Sequence, residues 1–263
     1  MIIDAHCHVG QGWYEPLEAL QFHMDRNNVQ RAVLVQIWNE LDNSYQEACV
    51  AANPDRFASV VMVDAREQNA PTKLKDLVGR GAHGVRFRPS TRSPGDDPWQ
   101  IWRVAADLGT TVSCVGSPAD FASEGFADIV QAFPSLPIVV EHIGEIQPLS
   151  PEYSSQEADK ILSLAKFSNV YMKFHGFGEY AKRVRNPGDG FPFERPLPDL
   201  LRRAYMAFGA ARLMWGSDYP PVSRREGYAN SLNHAREELA DLKQEELDLI
   251  FGGVAEKMYW HEA

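Results

Sequence analysis

The sequence predicts an α/β fold: a single (β/α)8 TIM barrel over residues 1–263, with extra helices at its C-terminal end. Three observations carry this. Eight short runs rich in Val, Ile and Thr alternate with longer amphipathic segments. Several of those runs are nearly all apolar, as in parallel strands buried on both faces. Eight strand–helix units also match the barrel's count, and 263 residues match its usual size of about 250.

Strands are expected at residues 2–6, 31–36, 58–63, 84–88, 110–115, 138–142, 169–174 and 212–217. Helices are expected near 16–27, 44–53, 71–79, 98–108, 121–132, 156–168 and 194–209, then at 228–240 and 245–259. Pro98 suits a first helical position after Asp96 and Asp97, and Gly109 and Gly209 suit helix stops. An open doubly wound sheet would be expected to carry a glycine-rich nucleotide loop after an early strand. Cys7-His8-Val9-Gly10-Gln11-Gly12 lacks that fingerprint. The breaker-rich segment 183–198 follows strand seven and is expected to overhang the barrel as a lid.

Acids outnumber bases, 36 to 26, for a net charge of -10. That balance argues against nucleic acid as a partner, because phosphate binding needs clustered Lys and Arg. No apolar run approaches the roughly 18 residues of a membrane helix. Met1-Ile2-Ile3-Asp4 is no signal-peptide start. Cys7, Cys49 and Cys114 form no CxxC, so a reducing, cytoplasmic setting is expected. The expected partner is a small anionic molecule, and a homo-oligomer is compatible with the sequence.

Chemistry-bearing residues fall at strand ends, where barrel enzymes place catalysts. In Asp4-Ala5-His6-Cys7-His8, alternation puts Asp4, His6 and His8 on one face. Two imidazoles so spaced bind one metal ion or one polar substrate group, although a polar strand end with packed histidines reads the same way. His142 ends strand six before a glycine turn, a place that also suits a structural hydrogen bond. Asp218 ends strand eight, where a carboxylate takes a proton from water, binds a metal or caps the turn before Pro220. Arg86 and Arg88 share a face of strand four. Facing inward they need anions, either a substrate carboxylate or an internal acid. Lys173 and His175 share a face of strand seven. Trp13 and Tyr14, in the first loop, are placed to line a pocket or cover the core.

His-X-His on strand one, His on strand six and Asp on strand eight, in that order on a barrel, resemble the amidohydrolase superfamily. The runs Ile2–His8, Val139–Gly144, Val170–Gly176, Arg212–Pro220 and Ile250–Tyr259 resemble its amidohydrolase-2 branch over nearly the whole chain. That branch holds lactonases for sugar acids and pyrone dicarboxylate, and decarboxylases of aromatic or muconate-type acids. The resemblance puts His6, His8 and Asp218 at positions of metal or substrate ligands, and His142 at that of the histidine polarising substrate or water. There are departures. Strand five, Thr110–Ser117, has no histidine, unlike the zinc-dependent decarboxylases; Cys114 is the nearest candidate. Strand four lacks the bridging lysine of binuclear relatives. Val254 replaces an asparagine usual near the C-terminus, a matter of helix packing.

The resulting expectation is a hydrolase that opens a small carboxylate-bearing lactone or cyclic ester. Asp218 serves as base, His6, His8 and His142 polarise the carbonyl, and Arg86, Arg88, His175 and Trp13 bind substrate. His6, His8 and Asp218 hold at most one divalent ion, zinc or manganese, and weakly, or the enzyme works metal-free. The alternatives are a metal-dependent decarboxylase and a non-catalytic carboxylate-binding barrel.

Overall fold

The computed structural model describes residues 1–185 and 190–260. Its eight strands are β1 (Ile3–Cys7), β2 (Arg31–Val35), β3 (Phe57–Val61), β4 (Gly84–Phe87), β5 (Thr111–Cys114), β6 (Ile138–Val140), β7 (Val170–Phe174) and β8 (Leu213–Trp215). They pair in parallel in sequence order. The ring closes just beyond β8, where Asp218 N donates to the His6 carbonyl and His8 N to the Tyr219 carbonyl, both at 2.8 Å. This is the expected (β/α)8 barrel.

The helices between strands are α1 (Leu17–Arg26), α2 (Ser44–Ala52), α3 (Ala70–Gly79), α4 (Gln100–Asp107), α5 (Pro118–Phe121), α6 (Glu124–Ala132), α7 (Ser155–Ser163) and α8 (Leu200–Phe208). After β8 come α9 (Tyr228–Glu238), α10 (Gln244–Asp248) and α11 (Val254–Tyr259). Several boundaries differ from expectation: the helix expected over 194–209 starts only at Leu200, the one expected over 245–259 is split into α10 and α11, and two others have a clear local cause. The helix expected over 121–132 is two, because Ser117 and Ser123 each cap a start, accepting from Asp120 N and Phe126 N at 3.2 Å. α4 begins after Pro98, because Asp97 accepts from Trp99 N at 3.1 Å and holds a turn there.

Side chains such as Leu34, Phe57, Phe87, Val112 and Trp215 belong to the main apolar cluster, packed with residues of the helices. A second cluster joins Ile3, Ala5, Val33, Val60, Val139 and Met214 to Val254, Ala255, Met258 and Tyr259 of α11. The C-terminal helix is therefore a plug, and Val254 is part of its apolar face. Lys173 is wholly buried with its Nζ 5.8 Å from the Tyr259 ring, at the boundary between this floor and a polar layer above.

The pairing of β1 with β2 slips by one residue between Asp4 and Cys7. This bulge corrects the expectation that Asp4 shares a face with His6. Asp4 instead accepts from Ser217 N at 2.8 Å and from the Tyr228 hydroxyl at 3.0 Å, tying β1 to the loop after β8 and to α9. Of the segment expected as a lid, residues 186–189 lie outside the described residues. Its flanks pair antiparallel, Val184 N donating to the Pro192 carbonyl at 3.0 Å and Glu194 N to the Lys182 carbonyl at 2.8 Å. Among the described residues no helix is long and apolar enough to cross a membrane.

Candidate active site

Cys7 donates its thiol to the Val33 carbonyl at 3.3 Å and packs in the main apolar cluster. Its neighbours His6 and His8 turn the other way, with ring centroids 4.8 Å apart. Gly216 makes this possible. A Cβ there would sit 2.6 Å from His6 Cβ and 2.8 Å from His6 N. His6 also lies 5.2 Å from His142 and 4.8 Å from His175, ring to ring, so four imidazoles converge.

The chain leaves β6 through a left-handed turn. His142, Ile143, Gly144 and Glu145 have φ of 53°, 50°, 68° and 58°. Such geometry costs non-glycine residues about 1–2 kcal/mol each and collects at functional sites. It carries His142 across to the turn after β7, where its Nδ1 donates to Glu179 Oε1 at 2.7 Å. Burial opposes protonation of His142, but Glu179 outweighs it and the pKa is pushed up to about 10. His175, 4.1 Å away ring to ring, is driven down to about 4 by burial and by the charge on His142. His175 Nδ1 donates to the Gly216 carbonyl at 2.9 Å, and its buried Nε2 has no partner. The pair therefore sets a cationic imidazole beside a neutral one.

Asp218 also has a left-handed backbone, φ 55°. Its Oδ2 accepts from Arg225 Nη2 at 2.9 Å, and its Oδ1 lies 3.5 Å from His8 Nε2. Burial works against the charge, but His8, His142 and His175 outweigh it and hold the carboxyl well below the usual range. Arg225 Nη1 reaches Glu179 Oε1 at 3.5 Å, so one guanidinium ties the loops after β7 and β8 together.

His6 Nε2, His8 Nε2 and Asp218 Oδ1 lie 3.2, 3.5 and 4.0 Å apart. Ligands of a tetrahedral ion with bonds of about 2.0–2.1 Å sit about 3.3–3.4 Å apart. His8 Nδ1 bonds the Val35 carbonyl at 2.7 Å, so with an ion bound its Nε2 would be the ligating atom. His6 Nδ1 is buried without a hydrogen bond, 3.9 Å from Glu141 Oε1. An ion held between the two Nε2 atoms would place the His6 proton on Nδ1, toward Glu141. The residues fit one divalent ion. Two overlapping groups, His6 with His142 and His175, and His142 with Glu179 and Asp218, share the same cluster.

Arg86 and Arg88, expected to face the mouth together, part company. Arg86 is buried, bonding Glu141 at 2.7 Å through Nη2 and the Gln36 carbonyl at 2.9 Å through Nη1. Arg88 follows the end of β4, is exposed, and lies 4.6 Å over the Trp38 ring. Trp38, Arg66, Arg86, Arg88, Thr91 and Arg92 line a cavity of about 770 Å³. Arg66 is engaged by Asp64 at 2.8 Å, whereas Arg88 pairs with no carboxylate among the described residues. Trp13 is 71% exposed, and its neighbour Tyr14 is the aromatic residue beside His8. On β5, Cys114 packs in the main apolar cluster while Ser113 donates to Glu141 at 2.7 Å.

Sequence reasoning missed Glu179 and Arg225. The signal available was the pair Gly176 and Gly178 just before Glu179. Gly178 N donates to Glu226 Oε2 at 3.1 Å, which docks the loop carrying Glu179 on the residue after Arg225.

The family model for amidohydrolases matches residues 3–260. The chain is similar to the 4-sulfomuconolactone hydrolase of Rhizobium radiobacter, 29% identical over 210 residues, covering 78% of this chain and 66% of that protein, just under two thirds of its length. It is similar also to the L-fucono-1,5-lactonase of Burkholderia ambifaria, 27% identical over 256 residues, covering 86% and 82%. A solved amidohydrolase of Burkholderia multivorans with bound zinc has the same fold, with a TM-score of 0.77 and 20% identity over 100% of both chains. A match across nearly the whole chain, on a barrel of this kind, shows that the chain belongs to the amidohydrolase family.

Proposed function

We propose that this protein is a hydrolase that opens a small lactone, or a similar cyclic ester, that carries an anionic group. The observation that carries this reading is the pairing of opposite charges in one barrel mouth: His142, held cationic by Glu179, beside Asp218, held anionic and tied to Arg225. His142 donates to the ester carbonyl oxygen as it becomes an oxyanion. Asp218 takes a proton from the attacking water. Its low proton affinity makes it a brief carrier, which returns the proton to the alkoxide as the ring C–O bond breaks. His6 and His8 orient the ester and the water. Were one divalent ion bound, His6, His8 and Asp218 would hold it, and it would supply Lewis acidity to the ester.

The anionic group of the substrate lies in the cavity over β2–β4. Arg88 is its ligand, with the guanidinium stacked on Trp38 and its donors left for a carboxylate. Arg86, engaged by Glu141, forms the cavity wall. The similarity to two lactone hydrolases supports this reading. The decarboxylase alternative finds no histidine on β5.

A panel of sugar-acid lactones, muconolactones and pyrone carboxylates, scored by proton release, tests the proposal. Turnover of an anionic lactone, faster than of its neutral ester, is expected. Carbon dioxide release without ring opening would overturn it.

A further inference from the structure

We propose that Tyr14 touches the substrate: its hydroxyl donates a hydrogen bond to the ester group seated over His8 and Asp218. This rests on the hydrolytic reading above and adds a residue to it.

The first observation is backbone geometry. Tyr14 has φ of 67°, a left-handed conformation that is a genuine outlier for a bulky aromatic residue. Such conformations persist only where the surroundings enforce them. Here a short loop does so. Gly10 N donates to the Glu15 carbonyl at 2.9 Å, closing residues 10–15 into a tight turn. Inside it the Trp13 carbonyl packs on Gly10 so closely that a Cβ there would lie 2.2 Å away. Only glycine fits at position 10, and the turn it allows sets the Trp13 and Tyr14 rings side by side, 6.2 Å apart. Trp13 goes to solvent, 71% exposed, and Tyr14 goes over the mouth, its ring 5.5 Å from His8 and tilted by 31°.

The second observation concerns the hydroxyl. No described residue hydrogen-bonds it, although it lies within the field of Asp218, Arg86, Arg224 and Arg225. A phenol hydroxyl carries its proton at neutral pH and serves as a donor. A donor above the mouth, held in a strained turn and without an internal partner, is arranged for a ligand. In ester opening it needs to give up no proton. Water's proton goes to Asp218 and then to the alkoxide, and Tyr14 only hydrogen-bonds the ester oxygens as charge develops.

The test is Tyr14→Phe, which keeps the ring and the turn and removes one oxygen. On the lactone that the wild type opens fastest, kcat should fall about 10- to 100-fold with KM within about threefold and the melting temperature unchanged. In parallel, binding of methylphosphonate, whose oxygens imitate the oxyanion, is measured by calorimetry and should weaken about tenfold. A variant that opens the lactone within about twofold of the wild-type rate overturns the role of Tyr14 while the lactonase reading stands. If no lactone is opened but phosphonate binding depends on Tyr14, the lactonase reading falls and the contact stands. If neither protein binds phosphonate and neither opens a lactone, both are overturned.

Discussion

Arg225 grips one oxygen of Asp218 at 2.9 Å and leaves the other facing His8 at 3.5 Å. The two carboxylate oxygens thus have separate duties. One anchors the group and the other faces the imidazoles where water and ester meet. Asp218→Asn keeps the shape and removes the basicity. We expect kcat to fall about 10²- to 10⁴-fold. Steady-state rates read beside a thermal melt check this, and a near-normal kcat would remove Asp218 from the chemistry.

Glu179 keeps His142 charged, with the pKa pushed up to about 10 although burial opposes it. A raised histidine pKa means the cation is present below that value and lost above it. In Glu179→Gln the cation should disappear at much lower pH, so the alkaline limb of the kcat profile should move down by more than a pH unit. An unmoved limb would show that His142 does not act as a cation.

Arg86 and Glu141 form a buried pair at 2.7 Å. Removing one partner leaves an uncompensated charge, so Arg86→Met should cost about 3–5 kcal/mol in urea unfolding, and Arg86→Met with Glu141→Leu should recover most of that loss. Burial opposes the charge on Glu141, but Arg86 outweighs it and brings its pKa from 4.5 down to about 2. A depressed carboxylate contributes stability above its unfolded pKa and loses it as pH falls toward its folded one. Acid destabilisation between about pH 4.5 and pH 2 should therefore be reduced in the double variant.

Arg88→Met should weaken an anionic lactone about 10- to 100-fold in kcat/KM and leave its neutral ester nearly unchanged, the loss expected for one charge-assisted contact. Equal losses for acid and ester would place the carboxylate elsewhere.

The histidine cluster should take no more than one zinc or manganese per chain, because its candidate ligand sets share residues. Metal analysis after chelation and titration, with turnover measured on the same samples, checks this. Two equivalents bound with retained order at His6 and His8 would contradict it.

The barrel was legible because parallel strands buried on both faces read as apolar runs, and because each functional run ended in a polar residue. His6, His8, His142 and Asp218 could be picked from that pattern alone, and the structure brings them together. The misreadings share one cause: strand alternation was carried past a point where the backbone breaks it. The bulge in β1 turns Asp4 away from His6. β4 ends at Phe87, so Arg88 no longer obeys the alternation that buries Arg86. Glu179 and Arg225 lie on loops, where position depends on contacts between segments far apart in sequence, and no local period records those.

The left-handed turn from His142 to Glu145 has a consequence for anyone trying to make this enzyme tougher. Glu145 sits where glycine would relieve about 1–2 kcal/mol of backbone strain, so a screen for heat resistance would favour replacing it, whereas Ile143 is buried in the apolar core and its lost packing would outweigh the same relief. The same relief would let the ring of His142 swing away from Glu179. Thermal tolerance and turnover should therefore pull in opposite directions at Glu145, and a hardier protein obtained there should be a slower one.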